Sequence, residues 1–263
     1  MTGAGTQNDS FIVDNWADFR TIDINSAEIF VRWADSENKI IDFNDILPEG
    51  FTEIIYIPAN VDFNGWTFRN FHSTAGTAFY GVSNNSNINN LILENFYFTG
   101  QYLLHKVNCA NCIFSGIAHG VSATCFGYSS NFTGCSANLR MHSGSESAVF
   151  SNSVCRNSDI TLDITGNRFT ISYDGKVYNS RFSGKIQIDG NNIMVSIGYS
   201  SVFNLISNKP LSCSSATGIS VFNADTMPNP ANANKNLVGL TSEQLKNAEY
   251  LYNMGFPIGY END

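Results

Sequence analysis

The feature that most constrains this chain is a short pattern that keeps returning along its middle. It reads NFYFTGQYLL from Asn95, NCIFSGIAHG from Asn111, SNFTGCSANL from Ser130, NSDITLDI from Asn157, NSRFSGKIQI from Asn179 and SSVFNLISN from Ser200. Anchored on Phe98, Phe114, Phe132, Ile160, Phe182 and Phe203, successive copies stand 16, 18, 28, 22 and 21 residues apart. The long step predicts an irregular coil around SAVFSNSV. Units of this length, made of brief apolar alternations between Gly, Asn and Ser, are too short for helical repeats and match the coils of a parallel β-helix.

The expected fold is therefore all-β, a right-handed parallel β-helix. Phe98, Phe114, Ile160, Phe182 and Phe203 should point inward and stack on their equivalents one coil away, each Phe removing roughly 150–250 Å² from water. Asn95, Asn111, Asn157 and Asn179 are suited to coil corners. Asn tolerates left-handed backbone, and its amide can bond to the same group in the next coil. Cys112 and Cys135 flank two anchors and fit a stack of small apolar side chains. An antiparallel β-sandwich would also explain the alternation, but not the recurring N-S-x-F-S-G order.

Composition agrees with many short strands and turns. The 263 residues are 43% hydrophobic, enough for a sizeable core, and only 14% charged, so neutral polar groups must solvate the surface. The net charge of -9 opposes phosphate backbones, and no basic cluster interrupts it, so nucleic acid and anionic membranes are not expected partners. The opening MTGAGTQNDS has neither a basic nor an apolar signal region, and no apolar run reaches membrane-spanning length. Neither Sec export by its own signal nor membrane insertion is expected. On that basis the six cysteines are expected to be reduced, buried thiols.

The two ends differ from the middle. All three tryptophans lie at the front. DNWADFRTI places Trp16, Phe19 and Ile22 on one face of a short helix, with Asp14 or Asn15 as cap, suited to closing the end of a solenoid. Asn64-Gly65 is a turn signal. At the other end, Thr241 and Gln244 form a capping box, Leu240 and Leu245 a hydrophobic staple, and Gly255 a left-handed stop. Leu245, Ala248, Leu251 and Tyr252 then make one apolar face of a helix that either caps its own solenoid or docks on a partner. The organisation predicted is a cap with entry strands over 1–53, the β-helix over 54–225, and a Pro/Asn-rich linker with the helix over 226–263.

Together, the front module FIVDNWADFRTI to VDFNGWTFRNF, the N-x-x-F-S/T-G coils and the terminal LTSEQLKNAEYLYNMGFPIG resemble β-helix proteins of bacteriophages and prophages, and repeats on bacterial surface proteins. The resemblance implies a virion component of the tail, baseplate or head surface. Other virion proteins would be its partners, with assembly as a homo-oligomer. It supplies no catalytic residues.

Candidate sites are few. Cys109 and Cys112 have the spacing of half a zinc site with His105 and His119 nearby, but no second pair follows, and across a corner both cysteines can simply be core. Alternation in SDITLDITG and SGKIQIDG turns Asp159, Asp163, Lys185 and Asp189 outward, a polar stripe suited to glycan or cation contact, or a solvated face of cross-strand charge pairs. The four histidines, His72, His105, His119 and His142, fall in no recognisable motif. No cofactor signature is present, and no cofactor or metal is expected. The leading reading is a non-enzymatic structural or attachment protein that contacts virion neighbours or host surface polysaccharide. The alternatives are a polysaccharide depolymerase using such carboxylates, and a surface adhesin, which would need an export signal or wall anchor.

Overall fold

Alternation along the repeats sends every second side chain inward, and the chain closes around those side chains as a coil. The computed structural model describes residues 1–24, 28–82, 86–120, 123–143, 146–191, 193–216, 219–230 and 236–256. It is all-β, 55% strand and 8% helix, with parallel strands stacked as a β-solenoid of about 8 turns. Each coil lays down three strands, hence three faces. The first face carries Ser86–Asn89, Val107–Ala110, Asn131–Thr133 and Val154–Arg156. The second carries Ile92–Phe98, Ile113–Gly120, Ser136–Ser143, Asp159–Gly166, Arg181–Ile188 and Val202–Ser207. The third carries Thr77–Gly81, Tyr102–His105, Ala123–Tyr128 and Glu146–Ser151. Strand Phe169–Tyr178 continues from the third face to the first through a corner at Asp174 (φ 49°), so these two faces join in one 15-stranded sheet.

The inward register on the second face runs Phe114, Ala137, Ile160, Phe182, Phe203, in steps of 23, 23, 22 and 21 residues. This corrects the repeat read from the sequence. Phe132 belongs to the first face, between Cys109 and Cys155, and Phe98 pairs with Ala118 at the far end of its strand. The anchors thus mixed columns, and the small Ala137 hid one rung. Nor is SAVFSNSV irregular: Glu146–Ser151 and Val154–Arg156 are ordinary strands in register with both neighbours.

The corners explain the asparagines. Asn90, Asn111, Gly134, Asn157, Asn179 and Ser200, one per coil, have φ between 43° and 62°. Left-handed backbone costs most residues about 1–2 kcal/mol, and Gly and Asn least. Each is followed by a small or apolar buried residue: Leu91, Cys112, Cys135, Ser158, Ser180 and Ser201. There the hydroxyls form a ladder. Cys135 N donates to Ser158 Oγ (3.2 Å), Ser158 N to Ser180 Oγ (3.2 Å), and Ser180 N to Ser201 Oγ (3.4 Å). Amide ladders also form. Asn131, Asn108 and Asn87 each donate Nδ2 to the Oδ1 of the Asn one coil earlier, ending at Asn60, at 2.6, 3.1 and 2.8 Å. At a corner of the second face, Asn95 does the same to Asn70 at 2.6 Å.

The N-terminal end is closed by aromatics. Helix α1, Trp16–Arg20, is capped by Asn15 and buries Trp16 and Phe19. Trp16 meets Phe43, Phe51 and Phe68 edge-on at 5.1, 5.7 and 5.8 Å, so the helix seals the core. Phe43 opens the short helix α2, Phe43–Ile46. Asn64 and Gly65 both take positive φ in the expected turn. At the C-terminal end the expected single helix is two: α3, Ser242–Leu245, with the capping box of Thr241 and Gln244, and α4, Ala248–Asn253, recapped by Asn247. Asn247 takes extended backbone and accepts from Tyr250 N, which interrupts the run. Leu245, Leu251 and Phe256 bury against Val202, Val221 and Leu240 of the chain's own last coils. Gly255 stops the helix at φ 92°. Residues 231–235 and 257–263 lie outside the described residues; earlier in the linker, Met227 is buried in the core.

Candidate functional site

On the second face the predicted polar stripe is a set of charge pairs. Asp163 lies in register between Arg140 and Lys185, and Arg140 Nε reaches its carboxylate at 3.2 Å. Asp159 is ion-paired with Arg181. Asp189 lies beyond the end of Arg181–Ile188, its N–H bound to Gly166 O, so it does not share the row. Beside these charges the coils stack His119 on His142, rings 5.1 Å apart, with His142 Nδ1 2.8 Å from Thr165 Oγ1. Sequence spacing had not joined this pair.

Cys109 and Cys112 both point into the core, as a corner allows. Burial pushes the Cys109 thiol up, and hydrogen bonding to Cys109 raises Cys112 further. Among the described residues no group of three or more His, Cys, Asp or Glu could hold a metal. Of the four residues expected to dock a partner, Leu245 and Leu251 are buried in this chain, Ala248 is half-buried, and Tyr252 alone is exposed, at 60%.

The third face holds the feature that the sequence reading missed. One outward column, a residue per coil, runs Tyr56, Tyr80, His105, Tyr128, Ser151, Tyr173. Rings touch along it: Tyr80 to His105 at 4.9 Å, His105 to Tyr128 at 5.0 Å, and Tyr102 leans on Tyr128 at 4.5 Å. Lys106 Nζ sits over Tyr80 and donates to its hydroxyl at 3.0 Å. At Ser151 the aromatic column breaks. In the neighbouring column the side chains also shrink, to Cys125, Ala148 and Thr170. The result is a groove of about 170 Å³ between Tyr102 and Tyr128 on one side and Tyr173 on the other.

Among the described residues the lining of this groove carries no charged side chain. Gln101, Thr124, Ser147, Ser151 and Thr170 line it together with Tyr102, Tyr128 and Tyr173. Ser147 Oγ is buried and has no hydrogen-bond partner among the described residues. Burial, with Tyr128 and Cys125 alongside, raises the Tyr102 phenol, and burial pushes the Cys125 thiol up to about 12, so both stay protonated at neutral pH. In the adjoining wall, burial and then Lys106 lower His105, keeping its imidazole neutral. Neutral hydrogen-bonding groups between partly exposed aromatic rings are chemically suited to a polar ligand with apolar faces.

No protein-family model matches the chain, and comparison with curated proteins and with solved structures finds no match either.

Proposed function

We propose that this chain is a non-enzymatic structural and attachment component of a bacteriophage particle, a stiff solenoid that meets host surface glycans along its flank. The particle assignment draws its support from the resemblance of the end modules and coils. The attachment role is carried by one observation, the notch that interrupts the tyrosine column on the third face, whose described lining is uncharged. A site so small holds its ligand weakly, and a homo-oligomer displaying several copies would bind by avidity.

A depolymerase is favoured less by the geometry. Glycan hydrolysis needs two carboxyl groups roughly 5–9.5 Å apart. Asp159 and Asp163, four residues apart on one strand, are separated by about 13 Å. Glu94 and Asp163 border one shallow hollow on the second face, but three strand spacings part them, about 14 Å or more. Both are also ion-paired, to Arg69 and Arg140.

The test is binding of the labelled full chain to a panel of bacterial cells, intact or treated with periodate to cleave sugar diols. Binding to some strains that periodate removes is expected. No binding to any strain, or binding indifferent to periodate, overturns the attachment role. Reducing ends released from purified surface polysaccharide would replace it with depolymerisation.

A further inference from the structure

We infer that the third-face notch is a subsite for one ring of an uncharged pyranose polymer, seated at Ser151 between Tyr128 and Tyr173. The inference rests on the attachment reading and names the glycan class and the residues that select it.

The notch has a built-in geometry. Tyr128 and Tyr173 flank Ser151 in register, two strand spacings apart, about 9.5 Å. That gap accepts one saturated ring with aromatic contact on either side. A pyranose offers apolar C–H faces, which suit the negative face of a tyrosine ring, and a rim of hydroxyls that both donate and accept. Here the rim meets Gln101, Ser151 and Thr170, all neutral.

Charge decides among sugars. Among the described residues no cation lines the notch, and the chain carries a net -9, so uronate, sialate or phosphate groups would enter against the overall field. The same argument disfavours nucleotides, whose bases could otherwise stack on the tyrosines. The volume, about 170 Å³, is below that of a drug-sized pocket, so it fits a single sugar unit, with the rest of the polymer running along the face.

The substitution Ser151→Tyr is the sharpest test, because it continues a column already filled by tyrosine and closes the notch from outside the core. Wild type and variants are titrated with neutral oligosaccharides built from glucose, galactose, mannose or N-acetylglucosamine, and with oligogalacturonate and sialyllactose as acidic probes. A neutral probe should bind, and Ser151→Tyr should weaken it more than tenfold. Tyr173→Ala, a truncation at a half-exposed ring, should weaken it about three- to tenfold with an unchanged melting temperature. Affinity should be the same at about 0.1 M and 1 M salt. Asp163→Asn and Arg140→Gln on the second face should have no effect. Binding of no neutral probe, preference for acidic probes, or full binding by Ser151→Tyr overturns the inference. Periodate-sensitive cell binding that survives Ser151→Tyr leaves the attachment role standing and removes only this subsite.

Discussion

The serine ladder at the corners makes a demand on stability that one hydroxyl can test. Ser180 is fully buried; its Oγ accepts from Ser158 N at 3.2 Å and donates to Tyr178 O at 2.8 Å. In Ser180→Ala the Tyr178 carbonyl keeps a donor, Asn157 N at 3.1 Å, whereas the Ser158 amide, itself in a buried residue, loses its acceptor. One orphaned buried N–H costs about 1–3 kcal/mol. For a chain of 263 residues, an unfolding entropy near 0.55 kcal/mol/K converts that to a melting shift of roughly 2–5 °C. Ser180→Cys should fall between wild type and Ala, because cysteine already fills this place at Cys112 and Cys135. Ser183→Ala is the control: its contact to Thr161 Oγ1, at 3.2 Å, is on the exposed side and should be worth less than about 0.5 kcal/mol. Urea unfolding of the four proteins, with hydrogen exchange at the Ser158 amide, reads the effect both globally and at the corner. If Ser180→Ala costs no more than Ser183→Ala, the ladder is not what holds the corners.

Asn157→Ala should lose about 1 kcal/mol in the same unfolding assay, and Asn157→Gly should be close to neutral, since Gly134 occupies the equivalent corner one coil earlier; equal losses would refute the left-handed argument. The thiols give a pH prediction. Burial lifts Cys125 and Cys155 from 9.0 to about 12, so between those values the unfolded chain holds fewer protons than the folded one. Stability is therefore full below about pH 9 and declines as pH rises toward 12. Urea midpoints at pH 8 and pH 10.5 check this, and unchanged midpoints would refute it. In the native protein at pH 8, a thiol reagent should modify the half-buried Cys213 and spare the other five until the chain unfolds.

What the sequence revealed follows what the core requires. Inward positions repeat because each must fill the same dry column: Ile160, Phe182 and Phe203 are large, apolar and in phase. Corners repeat because few residues accept φ near 50°, which makes Asn111, Asn157 and Asn179 recognisable from sequence alone. The period was misread where a rung shrank, at Ala137, and where a different face offered a similar phrase, at Phe132. End caps were legible through local chemistry, Asn15 and Thr241, but the break at Asn247 was not, because an amphipathic pattern continues across it.

Outward columns answer to no such requirement, and each face has settled on a different chemistry: amides on the first, charge pairs on the second, tyrosines on the third. Their order becomes visible only after the inward register is known. With coils of 22 to 25 residues, Tyr80, His105, Tyr128, Ser151 and Tyr173 fall in phase. The departure at Ser151 is then the informative position. A column kept for packing alone would gain from another ring there, since neighbouring aromatic pairs contribute about 0.5–1.5 kcal/mol beyond their area. A serine in that place forgoes this contact and leaves a ring-sized gap bounded by two tyrosines. Ser151→Tyr should therefore raise stability while abolishing binding. That opposite pair of effects distinguishes a site kept open for a ligand from a flaw in packing.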